Sequence, residues 1–310
     1  MDGLRFENLE KLVTEVERDG DVLRCTFVCP VSETEFASSA VLVKGEGLSD
    51  VTGEALSLGN ALRDGLSRAV TSAFGTSFLL KRNRDGARKG AANFSQDEQK
   101  LGIFRSFQGV SSRFVWHGVE RRWISAVARP ELATEFSLQL CRAPVENGYD
   151  ESVTARMLAE VAAADGKLAD EERDLLERFV NSDIGTVDDL LDRSALRTPE
   201  LQEVSVGPVR ETMLMMVWAL AVIDERLHDS ELAILARFAR GLEIPPERSD
   251  ALRGYAAEFA VDRALELAYP AGEKDGLQYA SARSLATKLG VTRSEAERMD
   301  IRVRKRLGAY

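Results

Sequence analysis

Residues 157–179 of this 310-residue chain align with residues 216–238 at an offset of 59, and nine of the 23 positions are identical. The identities are Met157/Met216, Ala162/Ala221, Asp165/Asp224, Leu168/Leu227, Asp170/Asp229, Glu172/Glu231, Leu176/Leu235, Arg178/Arg237 and Phe179/Phe238. A repeated unit constrains architecture before any motif does, because each copy brings the same elements and the same faces to bury. Each copy reads as an apolar helix that closes on an Asp, a short turn holding a Leu, and a second helix that opens on acids. Strand signals stop at about Glu151. Beyond it, apolar residues follow helical spacing, with breaks near Gly166, 183–185, Pro199, Pro245, 270–276 and Gly290. The expectation is an all-α domain over 151–310 with an internal two-fold repeat.

The first half reads differently. Asp19-Gly20-Asp21 is a turn, Val22 to Cys29 is rich in strand formers, Pro30 ends that run, and Glu35 to Val43 resumes it. The period then changes: Leu58, Leu62, Leu66, Val70 and Phe74 recur every four positions, the stripe of a helix. Ser95 and Glu98 match a capping box. Residues 113–116 and 122–125 flank a turn at His117-Gly118 and predict a hairpin with Trp116 and Trp123 on its two arms, more simply core residues than a stacking platform. The expectation is an α+β domain over 1–145, with residues 144–150 as a linker.

The 41 bases and 51 acids give a net charge of −10, which disfavours nucleic acid as a partner. The balance is uneven: residues 55–130 carry 13 bases and 5 acids, a local excess of +8. Through this basic 55–130 region the chain would alternatively be a scaffold or regulatory protein contacting nucleic acid or an anionic membrane surface, although the basic loop 80–91 reads more simply as solvated beside a core helix. A protein partner through the N-terminal region is the other expectation. The longest uncharged stretches, 69–80 and 212–223, have 12 residues each, short of the roughly 20 that span a bilayer. No basic-then-apolar leader opens the chain, and three cysteines make no disulfide framework, so the expected setting is the cytoplasm. Cys25 and Cys29, four apart on a strand, would stand roughly 13 Å apart and could not share one zinc ion. Two histidines, no Ser–His or Cys–His pairing and no phosphate loop predict a protein that is not an enzyme.

The duplicated acids support two readings. Glu172 and Glu231 fall in the first turn of a helix, where free N–H groups and the macrodipole favour a carboxylate with no ligand needed. Alternatively, Asp165 and Glu172 share one mouth, and a pseudo-twofold pairing brings Asp224 and Glu231 to face them. Bare carboxylates ~4 Å apart repel by about 4 kcal/mol at an effective dielectric of about 20, so such a cluster needs a cation, a proton or a basic neighbour. Lys167 and Arg226 are candidate neighbours. Oxygen-only ligands favour Ca²⁺, Mg²⁺ or Mn²⁺ over Zn²⁺. An EF-hand is excluded: its first and third loop positions would be Val161 and Ala163, or Leu220 and Val222, which cannot ligate calcium.

The segments Asp165-Gly-Lys-Leu-Ala-Asp-Glu-Glu172 and Asp224-Glu-Arg-Leu-His-Asp-Ser-Glu231, each behind an Ala-rich apolar helix, resemble the two acidic motifs of the TerB-like tellurite-resistance family. The resemblance covers roughly 150–310 and implies an all-helical, cytoplasmic, bacterial domain linked to metal-ion binding and stress responses at membrane-linked complexes. It implies Asp165, Glu172, Asp224 and Glu231 as metal-binding positions, with Asp170 and Asp229 as secondary acids. Glu225, where the first copy has Gly166, departs from the first motif. Residues 280–296 also carry the rhythm of a helix-turn-helix with Gly290 in the turn, a pattern any helical domain produces. The bases Arg302, Arg304, Lys305 and Arg306 suit the end of a last helix.

Overall fold

The structure, a computed structural model, describes residues 5–46, 58–74, 93–164, 166, 168, 170–181, 183–223 and 228–309. The order is a small sheet-bearing region followed by helices. After helix α1 (Phe6–Glu10) comes an antiparallel meander of β1 (Val13–Asp19), β2 (Val22–Val28) and β3 (Glu35–Val41), in that spatial order. Strand β1 is the element that sequence pattern misses. Its Thr-Glu-Val-Glu-Arg-Asp face lies on the sheet edge and is exposed, so it lacks the alternation that marks β2.

Helix α2 (Leu58–Ala73) follows the predicted stripe, with Leu62, Leu66, Ala69, Ala73 and Phe74 buried. Helix α3 (Gln96–Gln108) opens on the expected Ser95–Glu98 capping box, and Glu98 also accepts the Gly45 N–H at 2.6 Å, tying the helix to the end of β3. It lays Phe104 and Phe107 across the meander, where Phe107 meets Phe27 edge-on with centroids 5.4 Å apart. The predicted hairpin is β4 (Phe114–His117) with β5 (Arg122–Ser125), and Trp116 pairs directly with Trp123. Trp116 is buried and the two indoles pack edge-on at 5.6 Å, so both serve the core.

Helix α4 (Glu135–Arg142) then leads into the helical region. That comprises α5 (Gly148–Ala162), α6 (Asp170–Leu176), α7 (Val187–Leu191), α8 (Thr198–Gln202), α9 (Pro208–Ile223), α10 (Asp229–Gly241), α11 (Pro246–Leu267), α12 (Gly276–Lys288) and α13 (Arg293–Leu307). Twelve consecutive residues, Thr212 to Ile223, are buried, so α9 is the central helix, wrapped on all sides. Segment 144–150, linker-like by composition, is packed instead. Val145 is fully buried, donates its N–H to Ala73 O at 2.7 Å and forms a parallel bridge with Phe74.

Thr134, buried, caps α4 by accepting the Ser137 N–H at 3.0 Å. Thr134→Ala should lower stability by about 1 kcal/mol, read as a shift of the urea midpoint, and Thr134→Ser should restore most of it. An unchanged midpoint in the alanine variant would show the cap to be idle.

Candidate functional site: the duplicated acidic turns

Both copies fold as the repeat predicts. In the first, α5 runs to Ala162, Gly166 sits at φ 81° in the turn, Leu168 packs half-buried on the main core, and α6 begins at Asp170. In the second, α9 ends at Ile223 and α10 begins at Asp229. Glu172 and Glu231 are the third residues of their helices, and Asp170 and Asp229 are exposed at the first positions. Asp165 and Asp224, with Lys167 and Arg226, lie outside the described residues.

Glu231 is buried, and its Oε2 accepts the His228 backbone N–H at 2.7 Å in a capping arrangement. This is the helix-start role that the first-turn position predicts. Glu172 is half-buried. Among the described residues, no group of three or more His, Cys, Asp or Glu side chains converges at metal-holding range. The copies themselves interlock. Helices α5 and α9 pack together, α10 touches α5, and Arg237 of the second copy pairs with Glu160 of the first. Glu160 also accepts the Leu196 N–H at 2.5 Å.

Sequence reading missed two charged centres because their partners come from distant segments. Asp262, on α11, is almost fully buried between Arg302 and Arg306 of α13. Arg302 Nη2 reaches Asp262 Oδ1 at 2.8 Å, and Arg306 spans Asp262 and Glu266. Arg302 also reaches Glu258 at 2.6 Å, and Arg263 pairs with Glu266 at 2.5 Å. Burial would push the Asp262 carboxyl up, but the Arg306 and Arg302 guanidiniums outweigh it and hold the carboxyl below its usual range. Burial dominates at Glu258 and pushes its carboxyl up, with Arg302 opposing. Three carboxylates and three guanidiniums thus close on one another, a neutral cluster with no excess charge for a ligand. The second centre is Arg210, buried at the start of α9 and bonded to carbonyls of three segments.

The remaining motifs resolve similarly. Residues 276–307 do form helix, turn and helix, with Gly290 at φ 76° and Thr292 capping α13. Two arginines of α13 point inward, however: Arg302 and Arg306 join the Asp262 cluster, while the half-exposed Arg304 pairs with Asp300 at 3.2 Å. Of the basic 55–130 region, Arg68, Arg105, Arg122 and Arg129 pair with Asp64, Glu46 and Glu120, and Arg113 donates to Ser72 O. The basic loop 80–91 lies outside the described residues. Cys25 and Cys29 are fully buried and Cys141 half-buried, all three unpaired thiols. Burial pushes Cys25 and Cys141 up to about 11.

The fold and the paired acidic turns define an interlocked helical repeat domain behind a small sheet-bearing region. The family model described as tellurite resistance protein TerB matches residues 151–254, a span that contains both copies of the acidic hairpin. No family matches the N-terminal region. No curated protein and no solved structure matches the chain. Among the described residues, no helix is long and apolar enough to cross a membrane.

Proposed function

We propose that this is a non-enzymatic TerB-like protein that holds a divalent cation through Asp165, Glu172, Asp224 and Glu231, with Asp170 and Asp229 as outer acids. One observation carries the reading: the family match spans both acidic hairpins, and each sets a glutamate third in the helix after its turn. The capping bond at Glu231 is compatible with ligation, because a carboxylate has about four lone-pair sites and the His228 N–H takes one. An all-oxygen set selects a hard ion, Ca²⁺, Mg²⁺ or Mn²⁺, over Zn²⁺. The matching family is described as a tellurite resistance protein, which supports a role in a metal or tellurite stress response.

Calorimetry with each of the four ions tests the proposal on wild type and on Asp165→Asn with Asp224→Asn, which leaves the Glu231 cap intact. Heat of binding should appear with one hard cation and vanish in the double variant. Silence with every ion in the wild type, or equal heat in the variant, rejects cation binding by these turns.

A further inference from the structure

We infer that the sheet-bearing region and the helical region unfold as one cooperative unit, with α2 acting as a built-in partner that completes the core around the acidic repeat. Separate domains in one chain ordinarily meet through modest, rather polar interfaces and move independently. Here α2 and α4 share one apolar cluster with the helical region, while the strands and α3 bury a core of their own that meets it where β4 packs on α13 and where Arg113 donates to Ser72 O at 2.9 Å. Leu62, Leu66, Ala69 and Phe74 of the α2 segment and Phe136 and Leu140 of α4 belong to the same buried core as Met157, Leu220, Leu235 and Phe259. Helix α2 packs against α9, α11 and α6, and Phe74 meets Phe179 of the first repeat edge-on at 6.1 Å. Phe136 stacks on Phe259 at 4.5 Å.

Buried polar bonds cross the same boundary. Gln139 donates to Pro208 O and Thr212 Oγ1, each at 3.0 Å, and Thr212 donates to Ala143 O at 2.7 Å. The Asp262 cluster reaches across as well: Arg306 donates to Leu132 O at 3.3 Å, and Glu258 accepts the Glu135 N–H at 3.1 Å. Breaking such a boundary would expose apolar surface and leave buried donors unpaired, so partial opening is costly. The family-matched stretch ends inside α11, and its core is finished by residues before and after it.

The three tryptophans make the inference measurable. Trp116 and Trp123 report the β4–β5 hairpin, and Trp218 reports α9, where it is buried and donates to Ser249 Oγ at 3.2 Å. In the full-length chain, Trp218→Phe isolates the hairpin signal, and Trp116→Phe with Trp123→Phe isolates Trp218. Urea midpoints from the two should coincide with each other and with the far-ultraviolet dichroism of the unaltered chain. Adding Phe27→Leu in the sheet core should shift the Trp218 midpoint as far as it shifts the hairpin's, and Leu235→Val in the helical core should do the reverse. Should a variant fail to fold, dichroism and total fluorescence of the unaltered chain still decide, since superimposed curves support one unit. Two separate midpoints, or a distant substitution that leaves the remote reporter unmoved, overturn the inference.

Discussion

Replacing Asp262 with alanine should cost about 3–5 kcal/mol, because it strands two arginines in a place with little water to receive them. Asp262 and Arg306 are buried, and Arg302 keeps only 15% of its side chain exposed. Their attraction is an inseparable part of the fold: removing the carboxylate leaves the desolvation penalty of the guanidiniums with only Glu258 and Glu266 to offset it. The thermal midpoint should fall by roughly 10 °C. Its pH dependence carries the sign of the depressed carboxyl. Asp262 contributes its full stability above the unfolded carboxylate range near pH ~4, and that contribution is lost as pH falls through the lower folded value. The gap between wild type and Asp262→Ala should therefore narrow below about pH 4. Glu258 works the other way: its raised carboxyl favours the fold in acid and loses that benefit as pH climbs. A gap that stays constant from neutral pH into acid, or a loss below 1 kcal/mol, would sink this account of the cluster.

Arg210→Met should cost about 3 kcal/mol even though methionine keeps most of the apolar stem. The guanidinium reaches Gln202 O at 2.8 Å, Val204 O, Ser205 O and Leu242 O at 3.3 Å, and Glu243 at 2.7 Å. Those carbonyls close the ends of α8 and α10, where a helix leaves its last C=O groups without internal partners. A buried carbonyl that loses its donor costs about 1–3 kcal/mol, and several are lost together. Arg210→Lys should recover only part of the loss, since one ammonium cannot serve a fan of acceptors spread over three segments. The check is the urea midpoint at constant slope. A methionine variant as stable as wild type would mean that water replaces the guanidinium.

The duplicated unit was legible because both copies had to bury the same face: Leu176 and Leu235, and Phe179 and Phe238, are buried in both. The first-turn position of Glu231 was legible for a local reason, the free N–H groups of a helix start. The Trp116–Trp123 hairpin was legible because its turn and its aromatic arms lie within a dozen residues. What escaped was non-local. Nothing adjacent to Asp262 or Arg210 in the chain announces a partner some 30 to 40 positions away. Exposed β1 gave no alternation to read. At 144–150, polar composition suggested freedom, but one apolar residue, Val145, decided the packing by pairing with Phe74. For the acids, sequence and fold agree that Glu172 and Glu231 stand in the first turn of their helices, and Asp165 and Asp224 lie outside the described residues.

Two glycines far apart in the sequence share one contact. A Cβ on Gly118, at the β4–β5 turn, would collide with the backbone of Arg306, Leu307 and Gly308, where α13 ends. Gly308 itself closes that helix at φ 69°, a region L side chains rarely adopt. Because the obstruction is main chain, no side-chain change nearby can relieve it. A side chain at the hairpin tip therefore requires the end of the last helix to move, whereas one on Gly308 meets the Gly118 backbone no closer than 3.3 Å and is opposed chiefly by its positive φ.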